Sequence, residues 1–244
     1  MEALTNRDVK EIKQLKLKKY RLQKQCFIIE GEKLIQEAYE KRPDLIRELI
    51  ITSEIEGAEW LNNLTPKLAS NKQMSQISSL KTASTAIAVI DFPSDQNSSN
   101  LVIALDGVQN PGNLGTIIRT AAWFGCYQIM ASEDTVDVYN PKVVQATMGS
   151  IFDVSITYCN LETYLKEVDF PVYGANMEGE NIYSAAPVKN AVIVMGSEGK
   201  GLSEQVEKCI SQKIAIPKLG KGESLNVAMA TGIILSEFNR KLQK

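Results

Sequence analysis

The chain contains no histidine in 244 residues. That excludes a Ser–His or Cys–His nucleophile pair and any imidazole-ligated metal, and no metal is expected. Its four cysteines, Cys26, Cys126, Cys159 and Cys209, are widely scattered and form no C-x-x-C pair. They read as reduced, mostly packed thiols, as in a cytoplasmic protein. No apolar run is long enough to span a bilayer, and the N-terminus is too polar for a signal peptide. Gly107, Gly112 and Gly115 have the wrong spacing for a dinucleotide fingerprint. Lys200 and Lys221 are each followed by glycine, so neither closes a P-loop. Kinase, zincin and nucleophile-elbow patterns are missing as well. The formal net charge is −2, so no global field draws the chain onto nucleic acid.

What is present is uneven. Arg7, Lys10, Lys13, Lys16, Lys18, Lys19, Arg21 and Lys24 crowd the first 25 residues. Such a basic arm suits phosphate contact, although a solvated helix face is the commoner meaning of a charge run. Residues 6 to about 19 read as one helix. A strand over Cys26–Ile29, a helix ended by Pro43, a strand over Leu45–Ile51, a helix end near Trp60–Leu64, a polar segment over Asn71–Ser79 and a strand over Thr85–Ile90 complete a small α/β unit, residues 1–93. The polar, turn-rich stretch 94–100 reads as a linker.

Residues 101–244 alternate strands and helices, with strands expected at Leu101–Asp106, Tyr127–Met130, Asp153–Thr157, Val172–Ala175, Ala191–Met195 and Lys213–Ile216. The strands are apolar on both faces, which argues a mostly parallel sheet covered on both sides. Three loops follow such strands. The first leads through Asn113 into a helix carrying Arg119. The second is Gly196-x-Glu198-x-x-Gly201. The third is the glycine- and lysine-containing loop after Ile216-Pro217, entering a helix through Ser224 as N-cap, with Asn226 behind it. In an open α/β sheet, loops at the carboxyl ends of strands converge on one crevice. Taken singly, each residue also has a structural explanation: Arg119 as a surface cation, Glu198 as a turn acid, Ser224 as a cap and Asn226 as a first-turn residue.

These segments resemble a known family. Asn113-Leu114-Gly115-Thr116-Ile117-Ile118-Arg119, Val194-Met195-Gly196-Ser197-Glu198-Gly199-Lys200-Gly201-Leu202, and Ile216-Pro217 with Ser224-Leu225-Asn226-Val227-Ala228 are similar, in order, to the three motifs of the SpoU (TrmH-like) RNA 2′-O-ribose methyltransferases of the SPOUT superfamily. The resemblance covers about residues 101–240. Thr147 stands where a serine is common, and the hydroxyl is kept. The first unit also resembles the family's small, ribosomal-protein-like α/β substrate-binding domain, through its basic start and Phe27-Ile28-Ile29-Glu30-Gly31.

The resemblance implies a trefoil-knotted methyltransferase domain, S-adenosylmethionine as cofactor, and a homodimer joined through the knotted domains. Cofactor contacts would fall on Met195, Gly196, Gly201, Ile216, Pro217 and Leu225. Catalytic roles would fall on Asn113, Arg119, Glu198, Ser224 and Asn226. RNA contacts would fall on Lys10, Lys13, Lys18, Lys19, Arg21 and Lys24. A guanidinium stays protonated, so Arg119 is expected to bind phosphate and stabilise oxyanion character rather than act as a free base. Ribosomal RNA is the expected substrate, with transfer RNA, or non-catalytic RNA binding in ribosome assembly, as alternatives.

Overall fold

The computed structural model describes residues 1–61, 64–94 and 99–242. In chain order its first elements are α1 (Asn6–Gln14), α2 (Lys18–Lys24), β1 (Cys26–Glu30), α3 (Glu32–Lys41), β2 (Ile46–Ile51), β3 (Lys67–Leu68), α4 (Asn71–Ile77) and β4 (Ala86–Asp91). Next come β5 (Leu101–Asp106), α5 (Pro111–Trp123), β6 (Gln128–Ala131), α6 (Pro141–Thr147), β7 (Ser155–Tyr158) and α7 (Leu161–Glu167). The chain closes with β8 (Val172–Asn181), β9 (Ala191–Gly196), α8 (Glu204–Glu207), β10 (Gln212–Ala215) and α9 (Val227–Leu242). Two compact units result. Met1–Ser94 and Tyr139–Phe152 make the first, and the rest of the described chain makes the second. Residues 95–98 of the expected linker lie outside the described residues, as do 62–63 of the expected helix end, where Glu59–Leu61 forms a single 3-10 turn.

In the first unit the sheet runs in the order β1-β4-β2-β3. β4 is antiparallel to both β1 and β2, and β3 joins β2 in parallel. One face packs Ile28, Ile50, Ile87 and Val89 against Val9, Ile12 and Leu15 at the amino end and Met74 and Ile77 of α4. Each such side chain contributes roughly 1.5–3 kcal/mol on burial.

The helix expected over residues 6–19 is two helices. α1 closes at Leu15, which is buried, and the exposed Leu17 opens α2. Two cations explain the break. Arg21 is only 3% exposed, and its Nη1 donates to the Leu15 carbonyl at 2.8 Å. Lys16 Nζ donates to the carbonyls of Gln76, at 3.1 Å, and Ser78, at 2.5 Å. Burial pushes the Lys16 ammonium down, against the pull of the Glu30 carboxylate.

The polar stretch 71–79 forms a helix, α4. Its start carries a capping box: Ser70 Oγ accepts the Gln73 N–H at 3.3 Å, and Gln73 Oε1 accepts the Ser70 N–H at 2.9 Å. The segment Tyr139–Phe152 joins this unit through aromatic packing, with Tyr139 stacked on Phe92 at 3.9 Å and 4.7 Å from Phe27. Gly149, at φ +92°, passes so close to the Glu37 carboxylate that a Cβ there would overlap it.

The second unit is built on a wholly parallel six-stranded sheet, in the order β10-β8-β9-β5-β6-β7. β5 and β9 are buried along most of their length, as the apolar runs imply. From β5 the chain builds outward through β6 and β7, then crosses to β8 and β9 on the other side. The β5/β9 boundary is therefore the topological switch point. α9 packs along α5, with Gly232 facing Thr120. All four cysteines are free. Burial pushes the Cys126 thiol up to about 12.

Replacing Ser70 with alanine removes half of the capping box of α4. A loss of about 1 kcal/mol in unfolding free energy is expected, measured by urea denaturation. An unchanged midpoint would show that the box carries no weight.

Candidate active site at the switch point

Three loops leave the carboxyl ends of β5, β9 and β10. The first is set by Asn110, whose Oδ1 accepts the N–H groups of Gly112 at 2.8 Å and Asn113 at 3.3 Å. Pro111 follows at the first helical position, where a missing N–H costs nothing. The helix thus begins before Asn113 rather than after it, and Asn113 sits inside its first turn. The Asn-Pro pair was the available signal for this boundary.

The second loop closes on itself. Ser197 N–H donates to the Gly201 carbonyl at 3.0 Å, and Gly201 N–H donates back to Ser197 at 2.9 Å. Gly201 has φ +68°, and a Cβ on Gly196 would run into the backbone of Gly201 and Leu202. Both glycines are therefore required by the loop's own turn. The turn lifts Glu198 into an exposed position.

The third loop, after β10, corrects an expectation. Asn226, not Ser224, caps α9. Asn226 Oδ1 accepts the N–H groups of Ala228 at 3.0 Å and Met229 at 3.3 Å. Helical structure starts at Val227 because Val227 and Ala228 open the buried face of α9. Ser224 lies two residues too early. It is exposed, and its hydroxyl makes no hydrogen bond among the described residues.

The amide nitrogen of Asn226 does a second job. Its Nδ2 donates to Asn113 Oδ1 at 3.0 Å and to Glu198 Oε1 at 3.0 Å. Asn113 Nδ2 in turn donates to Glu198 Oε1. Three residues distant in sequence, one from each loop, meet in a closed triangle. Arg119 is not drawn into it. It lies exposed on α5 without an ion-pair partner among the described residues.

Of the residues expected at the cofactor, Met195 is buried at the end of β9, Ile216 and Pro217 are half-buried, and Leu225, next to Asn226 in the chain, is exposed. No backbone N–H from Ile216 to Asn226 donates within the described residues. Free backbone donors next to apolar side chains fit a flat heterocycle with polar edges.

In the first unit Lys10, Lys13, Lys18 and Lys19 are exposed, and Lys24 pairs with Glu11 at 3.1 Å. Arg21, expected on that surface, is instead a buried strut, because its guanidinium satisfies the Leu15 carbonyl at the end of α1. A cavity of about 290 Å³ in that unit is lined by Ile28, Glu30, Ser79, Leu80 and part of α6. It holds none of the three loops, and the Glu30 carboxylate there is committed to Ser78 and Ser79. No group of three or more His, Cys, Asp or Glu side chains suited to a metal occurs among the described residues.

An open parallel sheet with polar loops gathered at its switch point defines a ligand-binding α/β protein. Comparison with known proteins narrows that class: the chain belongs to the SpoU rRNA Methylase family, whose sequence model matches residues 100–236. An MRM3-like substrate binding domain matches residues 6–88. The chain is 30% identical over 241 residues, 96% of its length and 97% of the relative's, to the 23S rRNA (guanosine(2553)-2′-O)-methyltransferase RlmP of Bacillus subtilis. It superposes with TM-score 0.86 and 36% identity on a Porphyromonas gingivalis protein assigned to the TrmH family of RNA methyltransferases, covering 98% of this chain and 99% of that one. An AdoMet-bound rRNA methyltransferase from Sinorhizobium meliloti matches with TM-score 0.84 and 30% identity, covering 99% and 97%.

Two Asn226 variants separate its roles. Asn226→Ala loses both cap and triangle and is expected to cost about 1 kcal/mol. Asn226→Ser keeps a cap acceptor and should lose less than half of that. Equal losses in thermal unfolding would show that capping is not what Asn226 supplies.

Proposed function

We propose that this protein is an S-adenosylmethionine-dependent 2′-O-ribose methyltransferase acting on ribosomal RNA. The observation that carries the reading is the Asn113–Glu198–Asn226 triangle, with the unpaired N–H groups of the loop that leads to Asn226 as a second support. Met195, Gly196, Gly201, Ile216, Pro217 and Leu225 would hold the cofactor, which supplies an electrophilic methyl on a sulfonium.

A ribose hydroxyl is a weak nucleophile until it is oriented and its proton is drawn away. Asn113 and Asn226 offer amide groups, and Glu198 a carboxylate, at one point in space. They are suited to orient the sugar, with Ser224 closing from the third loop. Arg119 binds the RNA phosphate and stabilises negative charge as it develops on the attacking oxygen.

Residues 1–93 form the RNA-binding domain, of ribosomal-protein-like fold, 94–100 the linker, and 101–244 the methyltransferase domain. Lys10, Lys13, Lys18, Lys19 and Lys24 contact RNA. The catalytic domain is knotted as a trefoil. In support, β10 pairs with β8 rather than with its sequence neighbour β9, and α9 returns to pack on α5. The protein works as a cytoplasmic homodimer through this domain. In support, α5 presents Thr116, Arg119 and Trp123 outward, with Trp123 85% exposed, and α9 exposes Met229.

Calorimetric titration with S-adenosylmethionine, followed by transfer of labelled methyl groups to ribosomal and transfer RNA, tests the reading. Binding and labelling of ribosomal RNA are expected. Labelling of transfer RNA alone would overturn the substrate, and RNA binding without any transfer would favour a non-catalytic assembly protein. Arg119→Lys is expected to lower kcat about 10²-fold. Wild-type-like rates across pH would remove any essential role for the guanidinium. Changing Lys10, Lys13, Lys18 and Lys19 together to alanine should weaken binding nearly uniformly across RNA sequences. The slope of log affinity against log salt should fall by roughly 0.7 for each phosphate that is no longer neutralised. An unchanged slope would acquit those lysines.

A further inference from the structure

β5 and β9 pair in parallel from Leu101 with Ala191 to Asp106 with Gly196. Asp106 is thus the last residue of β5, level with the glycine that opens the second loop. The residue is 8% exposed, and Oδ2 accepts the Ser203 N–H at 2.6 Å. Ser203 is where that loop ends and α8 begins. The loop is therefore held at both ends against β5, by the strand ladder at Gly196 and by the Asp106 carboxylate at Ser203. Between those anchors lie Glu198 and the Ser197–Gly201 bridge.

The next residue ties β5 the other way: Gly107 N–H donates to Ser132 Oγ at 2.9 Å, and Ser132 is fixed to Asp134 at 2.5 Å. The exit of β5 is fastened on both sides, so the anchor on Ser203 does not drift.

We infer that Asp106 is a positioning residue for the methyl-transfer site: by holding Ser203 it sets the height of the Gly196–Gly201 loop, and with it the cofactor-facing backbone and Glu198. This rests on the cofactor reading above. The Asp106 backbone pairs with Gly196 in the strand ladder, but its carboxylate bonds to neither the triangle nor the residues assigned to the cofactor. It acts through the path of the loop. What it supplies is a hydrogen-bond acceptor, and a buried carboxylate accepting a backbone N–H makes a strong, short bond of the observed kind.

The local backbone allows a test from the donor side. Ser203 has φ −69° and uses no side-chain cap bond, so proline fits its backbone angle; it removes the N–H, sets Cδ against the Asp106 carboxylate and restricts Leu202, and so breaks the anchor from the donor side.

The experiment compares wild type, Asp106→Ala, Asp106→Asn and Ser203→Pro. Amide hydrogen exchange is followed in the ligand-free protein, S-adenosylmethionine binding by calorimetry, and KM for cofactor and RNA in the transfer assay. Asp106→Ala and Ser203→Pro should speed exchange over residues 196–203, weaken cofactor binding tenfold or more and leave KM for RNA within threefold. Asp106→Asn, which keeps an acceptor, should bind cofactor within threefold of wild type. Cofactor binding within threefold of wild type in both Asp106→Ala and Ser203→Pro would overturn the inference, as would equal weakening in Asp106→Asn and Asp106→Ala. If Asp106→Ala fails to fold, Ser203→Pro decides alone. If wild type itself binds no cofactor, the proposed function fails, and faster exchange over 196–203 in the variants still reports on the anchor.

Discussion

The parallel pairing of β5 with β9 is the constraint on which the rest of the second unit depends. Both strands are apolar and buried on both faces, so hydrophobic alternation cannot distinguish one register from the next. Polar groups at the strand ends add what alternation lacks. Asp106 reaches Ser203, Gly107 reaches Ser132, and the loops beyond meet in the Asn113–Glu198–Asn226 triangle. A slip of one residue would pull all of these apart. The features that suit the site to chemistry thus also define the alignment of the sheet beneath it.

The site shows a division of labour between rigid and adaptable parts. Gly196 and Gly201 are locked by contact with their own loop, where no Cβ fits at Gly196. Asn226 is fixed by its cap bonds to α9. The stretch from Ile216 to Leu225, by contrast, makes no backbone hydrogen bond as a donor among the described residues, and Leu219 is 99% exposed. Segments with few buried contacts and free backbone donors lie at the low end of local stability, where ligand-binding loops are drawn from. A ligand seated there would find an anchored floor and an unanchored edge.

Charge in the first unit is similarly divided. The amino-terminal cations look alike in sequence, yet they serve different ends. Lys16 and Arg21 satisfy backbone carbonyls at helix ends, and Lys24 pairs with Glu11. Lys10, Lys13, Lys18 and Lys19 face water. A cation held against buried carbonyls is poorly placed to meet a phosphate, so the field at that surface comes from fewer residues than the composition suggests.

Much of this protein was legible in its sequence. Apolar runs located the strands of the second unit, their two-faced character implied parallel pairing, and the motif residues lie on three loops whose Asn113, Glu198 and Asn226 meet. These are local or compositional properties, carried by neighbouring residues. The polar stretch 71–79 does not read as a helix, because its weak hydrophobic periodicity hides α4, which its Ser70–Gln73 capping box starts. Other features belonged to the tertiary structure. The strand order puts β10 beside β8. Asn226 takes the cap because burial of Val227 fixes where α9 starts. Arg21 turns inward to meet Leu15. Tyr139–Phe152 packs with a unit from which it is separated in sequence. Each depends on partners many residues away, whose proximity the folded chain alone creates.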